Sequence, residues 1–370
     1  MRILVTGGAG FIGSYVVDDL VHAGAEVRVV DSLHPDAHTG LPPYLNGSAE
    51  YRFGDLADPE VALSVTEGVD AVCHHASRVG LGVDFAGITG YVDDNDRATA
   101  ILLRSLHRHG FDGRLVLASS MVVYGEGAYL CARHGPVRPA ARRPDDLAAG
   151  RYEPTCRDCG AALEPTAVTE DAPLEPRSIY AATKVHQEHL CAVFGAERGA
   201  PVACLRYHNV YGPRMPRDTP YAGVASIFRS RLRAGLAPLV YEDGGQRRDF
   251  VHVRDVARAN RLALLGPEPI DGPLNVASGD VHTVGEMAAT LHRAVGSDGP
   301  PPVVTGRFRP GDVRHVSASP ARAAERLGFR SEIGFAEGMR ELVGAELRPG
   351  VTLADRETLP AALAAQVTHP

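Results

Sequence analysis

The chain has 370 residues, 44% hydrophobic and 22% charged, which is the balance of an ordinary soluble globular protein with enough length to bury a core. Its formal charge of −7 excludes the broad basic face that a phosphate backbone needs, so nucleic acid is not an expected partner. No apolar run approaches the ~20 residues of a membrane span and no charged leader precedes the first strand pattern, so no membrane partner is expected and the location read is cytoplasmic.

In chain order the first half gives a strand (RILVT), a helix running to Ala23, a strand (EVRVVD), a strand (DAVCHHA), a helix from about Arg97 to Arg108, and a strand (RLVLASS). Short Val-, Ile- and Leu-rich runs separated by helices predict a parallel sheet covered on both faces. After Tyr180 come a helix, a buried strand (PVACLRY) and a mixed region from about Tyr211. That region holds the helical VRDVARANRLALL, the strand PLNVAS and a capping box, Thr283 to Glu286, opening VGEMAATLHRAV; it predicts a smaller lobe.

The first strand runs straight into GGAGFIGS, which sets Gly7, Gly10 and Gly13 at three-residue intervals. A tight strand-to-helix turn of this kind lets backbone approach a pyrophosphate and points free helix N–H groups at the anion, so it predicts a dinucleotide site. The second strand ends at Asp31, 18 residues after Gly13. A carboxylate there accepts from the adenosine ribose hydroxyls and repels a 2′-phosphate, and the following Ser32 and Leu33 offer no arginine; NAD is favoured over NADP.

Lys184 of SIYAATK is the only lysine among 38 basic residues, so the rest are arginine. It lies four residues after Tyr180, on one face of a helix. A phenol titrates near pH 10, too high for a base at neutrality, and a nearby ammonium lowers that value. The compact ammonium also donates to ribose hydroxyls, where a planar guanidinium fits poorly. A hydroxyl partner belongs at the carboxyl end of a strand, where open α/β sheets place ligands, and RLVLASS offers Ser119 or Ser120.

Six cysteines are too few and scattered for a disulfide framework, and Cys73, Cys191 and Cys204 sit in apolar contexts as buried thiols. Residues 127–169, rich in Pro and Arg, lack an apolar period and read as an insertion, improbable inside a compact domain unless stapled. Cys131 and His134, then Cys156 and Cys159, form two ligand pairs separated by 21 residues. Paired knuckles of three thiolates and one imidazole suit tetrahedral structural zinc.

The motifs TGGAGFIGS, GDLAD, HHAS, ASSMVVYGE, YAATK, LRYHNVYGPR, RRDFVHVRDVARA and RPGDVRH together make the chain resemble the extended short-chain dehydrogenase/reductase family, in its NAD-dependent nucleotide-sugar epimerase/dehydratase branch. The likeness runs from Met1 to about Leu327, apart from the insertion. It implies Ser120 as the catalytic serine, Tyr180 as base and Lys184 as its helper. It further implies cofactor contacts from Gly7, Gly10, Phe11, Ile12, Gly13, Asp31, Asp55, Leu56, His75, Ala76 and Ser77, besides Tyr180 and Lys184. Substrate contacts are implied for Ser120, Tyr180, Asn209, Arg248 and Arg309, the last three on the sugar nucleotide's phosphates, a role that suits arginine. A homodimer is expected.

The fold class expected is α/β: a Rossmann doubly wound parallel sheet, a smaller α/β substrate lobe and a zinc-knuckle-like insertion. The expected divisions are 1–126 and 170–210 for the NAD-binding domain, 127–169 for the insertion, 211–350 mainly for the nucleotide-sugar lobe with some segments returning to the sheet, and 351–370 for a peripheral tail. The similar 4,6-dehydratases carry Asp and Glu directly after the catalytic hydroxyl; here those places hold Met121 and Val122, which transfer no proton. The expected activity is 4-epimerisation of a UDP- or dTDP-hexose through a transient 4-keto sugar, with a ketoreductase or decarboxylase as the alternative enzyme and an NAD-binding scaffold as the alternative without chemistry.

Overall fold

A computed structural model describes residues 1–80, 85–217, 223–296, 299–309 and 311–347; the expected tail at 351–370 lies outside the described residues. Seven parallel strands form the central sheet, in the spatial order Gly272–Val276, Val202–Tyr207, Arg114–Ser120, Ala71–His74, Arg2–Thr6, Glu26–Asp31, Glu50–Phe53. Alternation along each strand divides the side chains between two cores. Ile3, Val5 and Val116 pack on one face with Val16, Val17 and Leu20, while Leu4, Leu115 and Leu117 pack on the other with Leu102 and Leu106. Both faces are covered by helices, which is why these strands read as continuous apolar runs.

Strand order reverses beside Arg2–Thr6, which pairs with Glu26–Asp31 on one side and Ala71–His74 on the other. Successive crossovers on opposite sides of that point open a crevice above the strands' carboxyl ends. The edge strand Glu50–Phe53 has no apolar run and escapes a sequence reading, as edge strands commonly do. PLNVAS, placed by sequence among the later pieces, instead extends the central sheet by pairing with Val202–Tyr207.

The smaller lobe packs helices Val224–Arg233, Val284–Val295 and Phe335–Gly344 around Phe228, Leu232, Met287, Leu291, Met339 and Leu342. The capping box forms as the sequence predicts, with Thr283 and Glu286 each bonding the other's backbone N–H. A three-stranded sheet of Asn209–Tyr211, Arg247–His252 and Val281–Thr283 joins this lobe to the first. Residues 127–169 carry their own antiparallel sheet of Gly135–Val137, Ala128–Cys131 and Glu164–Thr166 and one short helix, Pro144–Ala148. Strands of three or four residues are too short to show a period, so the sequence hides them.

Candidate active site and cysteine cluster

Backbone geometry builds the cradle. Gly7 has φ +70°, and a Cβ there would lie 2.8 Å from the Ala76 backbone nitrogen. A Cβ on Gly13 would lie 2.2 Å from the Gly7 carbonyl oxygen, so these two glycines are required by contact. Gly10 serves differently: it is the N-cap of helix Phe11–His22 and offers no side-chain cap, leaving the first N–H groups without a side-chain acceptor. The Asp31 carboxylate is fixed by two backbone donors, Ala9 N–H at 3.0 Å and Leu33 N–H at 2.9 Å.

A cavity of about 530 Å³ starts at this cradle and runs past the strand ends into the smaller lobe. It is lined by Gly7, Gly10, Phe11, Ile12, Gly13 and Asp31, by Asp55, Leu56, His75, Ala76 and Ser77, and by Ser120, Tyr180, Lys184 and Asn209. Burial holds the His75 imidazole down at about 4, so it is neutral at physiological pH. Arg78 also lines the cavity and was not anticipated, but Asp94 (2.7 Å) and Asp36 (3.2 Å) pair with it.

Ser178 caps helix Ile179–Arg198, its hydroxyl accepting the Ala181 N–H, and Gly199 ends it in the left-handed region. The helix buries Ala181, Lys184, Glu188 and Cys191 on one stripe. The Lys184 ammonium donates to the Ala118 carbonyl at 2.9 Å and sits 5.9 Å from the Tyr180 ring centre. Burial pushes Tyr180 up to about 12, with the Ser120 hydroxyl bond drawing it back, and pushes Lys184 down to about 7 against the pull of Cys191, Glu188 and Asp96. Burial thus drives each group toward its neutral form, and for Tyr180 it outweighs the lowering that a nearby ammonium was expected to give.

The structure separates the two serines that the strand pattern left equivalent and of which the resemblance implied Ser120. Ser119 is 3% exposed and donates to Glu188, which pairs with Arg206 at 2.7 Å; Arg206 in turn donates to the Tyr124 hydroxyl, and that hydroxyl donates to Asn275. Ser120, one residue on, lines the cavity with Tyr180, whose value its hydroxyl draws down. The network was missed, although a charged residue in the otherwise apolar VACLRY and a glutamate one turn after Lys184 signal it. Met121, whose thioether carries no transferable proton, lines the cavity directly after Ser120.

Arg248 and Arg309 are not among the residues lining the cavity. The Arg248 guanidinium donates to the carbonyls of Arg247, Val313 and Arg314, and that of Arg309 lies 5.1 Å from the Tyr241 ring centre.

In the insertion, the ligand atoms of Cys131, His134, Cys156 and Cys159 all fall within 4.8 Å of one another. The Cys131 and Cys159 sulfurs are 3.7 Å apart, and His134 Nδ1 is 3.7 Å from Cys131 Sγ and 3.3 Å from Cys156 Sγ. Zinc–sulfur bonds of ~2.3 Å at tetrahedral angles give a sulfur–sulfur edge of ~3.8 Å, so the donor set fits such an ion. Hairpin Ala128–Cys131/Gly135–Val137 presents the first pair, and a turn closed by Cys156 N–H to the Ala161 carbonyl (2.8 Å) presents the second. N–H groups of Arg133 and His134 hold the Cys131 thiol below its ordinary range, and those of Asp158 and Cys159 do so for Cys156.

A doubly wound sheet, a glycine cradle at its switch point and a Ser-Tyr-Lys set in the same cavity define a dinucleotide-binding α/β enzyme. The model of the NAD dependent epimerase/dehydratase family matches residues 3–143 and 155–277, and the chain belongs to that family. It is 32% identical over 347 residues to a dTDP-L-rhamnose 4-epimerase of Burkholderia thailandensis, covering 92% of this chain and 93% of the relative. It is 28% identical over 355 residues to a dTDP-glucose 4,6-dehydratase of Streptomyces niveus, covering 93% and 92%. The crystal structure of the Thermus thermophilus UDP-glucose 4-epimerase in complex with NAD superposes with a TM-score of 0.75 at 32% identity, covering 93% of this chain and 98% of that one. No helix among the described residues is long and apolar enough to cross a membrane.

Proposed function

We propose that the protein is an NAD-dependent nucleotide-sugar 4-epimerase acting on a UDP- or dTDP-hexose through a transient 4-keto sugar. The observation that carries the reading is that one cavity joins the glycine cradle to Ser120, Tyr180 and Lys184 while Met121 occupies the wall where elimination of water would need an acid. Gly7, Gly10, Gly13 and the N–H groups at the start of helix Phe11–His22 would hold the pyrophosphate, and Asp31 the adenosine ribose, which favours NAD over NADP. When bound, NAD supplies the acceptor and then the donor of the hydride at sugar C4.

Tyr180 takes the proton of the C4 hydroxyl and returns it after the ketone has turned over, with Ser120 holding the oxygen in place. Lys184, fixed by the Ala118 carbonyl, supplies positive charge beside the phenolate and a donor for the nicotinamide ribose. Asn209 on the cavity wall and Arg248 and Arg309 in the smaller lobe are assigned to the diphosphate, a firm grip that leaves the hexose free to rotate. The cysteine cluster is assigned a structural zinc, since a closed four-donor set leaves no position for substrate. A homodimer is carried in the proposal, and sedimentation equilibrium tests it. Incubation with a panel of UDP- and dTDP-hexoses without added cofactor tests the activity: a C4 epimer of one member is the expected product, and a panel returned unchanged, dehydrated or reduced contradicts the reading.

A further inference from the structure

Residues 306–309 and 311–315 of the smaller lobe, the first of which carry Arg309, are gripped from the insertion by several side chains. Arg142 pairs with Glu242 at 2.8 Å and donates to the Asp312 carbonyl at 2.7 Å. Glu153 pairs with Arg314 at 2.6 Å and with His315 at 2.8 Å. The Tyr152 hydroxyl donates to the Gly306 carbonyl at 3.3 Å. Tyr129 is 1% exposed, packs with Cys131, Cys156 and Leu163, and sets its ring 6.2 Å from that of His315. At the insertion's first residue the two backbones nearly touch: a Cβ on Gly127 would lie 2.2 Å from the His315 carbonyl oxygen.

Arg248 belongs to the same arrangement, because its guanidinium donates to the carbonyls of Val313 and Arg314 at 2.7 and 2.8 Å. Where residues 313–314 lie therefore fixes where Arg248 lies. Arg314 is almost fully buried between Glu242, Asp243 and Glu153, a charge cluster that is stable only while every partner is held in place. Glu242 and Asp243 come from the lobe itself. Glu153 comes from the insertion, two residues ahead of the Thr155–Ala162 bridge that frames Cys156 and Cys159. The insertion's buried cluster is only Tyr129, Cys131, Cys156 and Leu163, with half of it being thiols.

We propose that the cysteine-stapled insertion is a brace for the two diphosphate arginines, with Arg142 and Glu153 as its positioning residues, so that metal in the Cys131/His134/Cys156/Cys159 cluster sets affinity for a nucleoside diphosphate without affecting cofactor retention. This rests on the assignment of Arg248 and Arg309 to the diphosphate made above. The brace lies apart from the residues that line the cavity, and none of the bonds of Arg142, Tyr152 or Glu153 just described reaches a cradle residue.

The test titrates UDP and dTDP calorimetrically into the full chain with its bound cofactor, comparing wild type, the Arg142→Met/Glu153→Gln double variant, Glu153→Asp, and protein stripped of metal by a chelator and then given zinc. The double variant and the stripped protein are expected to bind the better nucleotide at least about ten-fold more weakly, the loss of one or two charge-assisted bonds' worth of positioning. Cofactor content stays at the wild-type level, Glu153→Asp recovers part of the loss, zinc restores the stripped protein, and in turnover KM for the sugar nucleotide rises while kcat holds. Affinity within about two-fold of wild type in the double variant and in metal-free protein overturns the brace. So does a parallel loss of cofactor, which would mark general damage, or a protein that purifies without metal and gains no affinity from zinc. A chain that shows the expected dependence but epimerises no hexose keeps the brace and loses the 4-epimerase reading; an epimerase indifferent to these changes does the reverse.

Discussion

The cradle and the insertion hold their functional groups by opposite means. Around the cradle, 26 buried residues among those described form one apolar cluster on one face of the sheet and 20 form another on the opposite face, so Gly7, Asp31 and Lys184 are placed by a core that would exist without them. In the insertion four buried residues make the cluster, and two of them are the ligands Cys131 and Cys156. There the binding groups are the core. Chemistry placed on a core tolerates exchange of a ligand; a core made of ligands depends on what they bind.

The comparison can be broken first at the cradle end. Tyr180→Phe should lower turnover by about 10²–10⁴-fold, the usual range for a lost general base, with bound NAD at wild-type level, because the phenyl ring still fills the same buried place. Product formation and cofactor content on one sample check it.

Lys184→Arg comes next. Charge is kept, but the planar guanidinium cannot serve both the phenolate and the ribose from one helical turn away, so a large fall in turnover and weaker NAD retention are expected. The pH profile gives the sign. Burial holds Lys184 at about 7, below the ordinary lysine value of 10.5, so its ammonium gives up its proton as pH rises through about 7. Wild-type activity, which uses that positive charge beside the phenolate, should fall across that window. Arginine does not titrate there, so the fall should vanish in the variant and any residual activity should increase only at higher pH, toward the raised value of Tyr180.

At the insertion end, Cys156→Ser with Cys159→Ser should abolish zinc, measured by elemental analysis, and open residues 127–169 to limited proteolysis while NAD content holds. A metal-free insertion that resists protease would erase the contrast between the two regions. The smallest effect sharpens it within the cradle itself. Ser119→Ala removes a buried bond to Glu188 and should cost about 1–2 kcal/mol of stability with little change in kcat, whereas Ser120→Ala should lower kcat with Tm unchanged.

The contrast also explains what was legible in the sequence. Strands buried on both faces, glycines forced by contact, the lone lysine one turn after Tyr180 and the paired cysteines leave local patterns; the strands enter the central sheet, the glycines and the lysine line one cavity, and the cysteines gather with His134. Glu50–Phe53 was invisible because an edge strand with one exposed half needs no apolar run. The insertion's sheet was invisible because its strands are three or four residues long. PLNVAS reads as a strand, but which sheet takes it depends on pairing with Val202–Tyr207, a contact about 70 residues away that no local pattern records. What separates Ser119 from Ser120 is likewise tertiary: one residue of pleat sends the first to Glu188 and the second to the cavity wall that Tyr180 also lines. The guanidinium bonds of Arg248 to residues 313–314 depend on a segment more than 60 residues on, so motif position alone could not show them.

The central claim is that one cavity removes and returns the hydride at C4 of a sugar nucleotide. It is tested most directly with a UDP- or dTDP-hexose carrying deuterium at C4, incubated with the purified protein and no added cofactor, with the product analysed by NMR and mass spectrometry. The account predicts a C4 epimer that retains the deuterium at C4, with no loss of water and no net change in cofactor oxidation state. Deuterium lost to solvent, a product lighter by one water, or a reduced or decarboxylated sugar would contradict it.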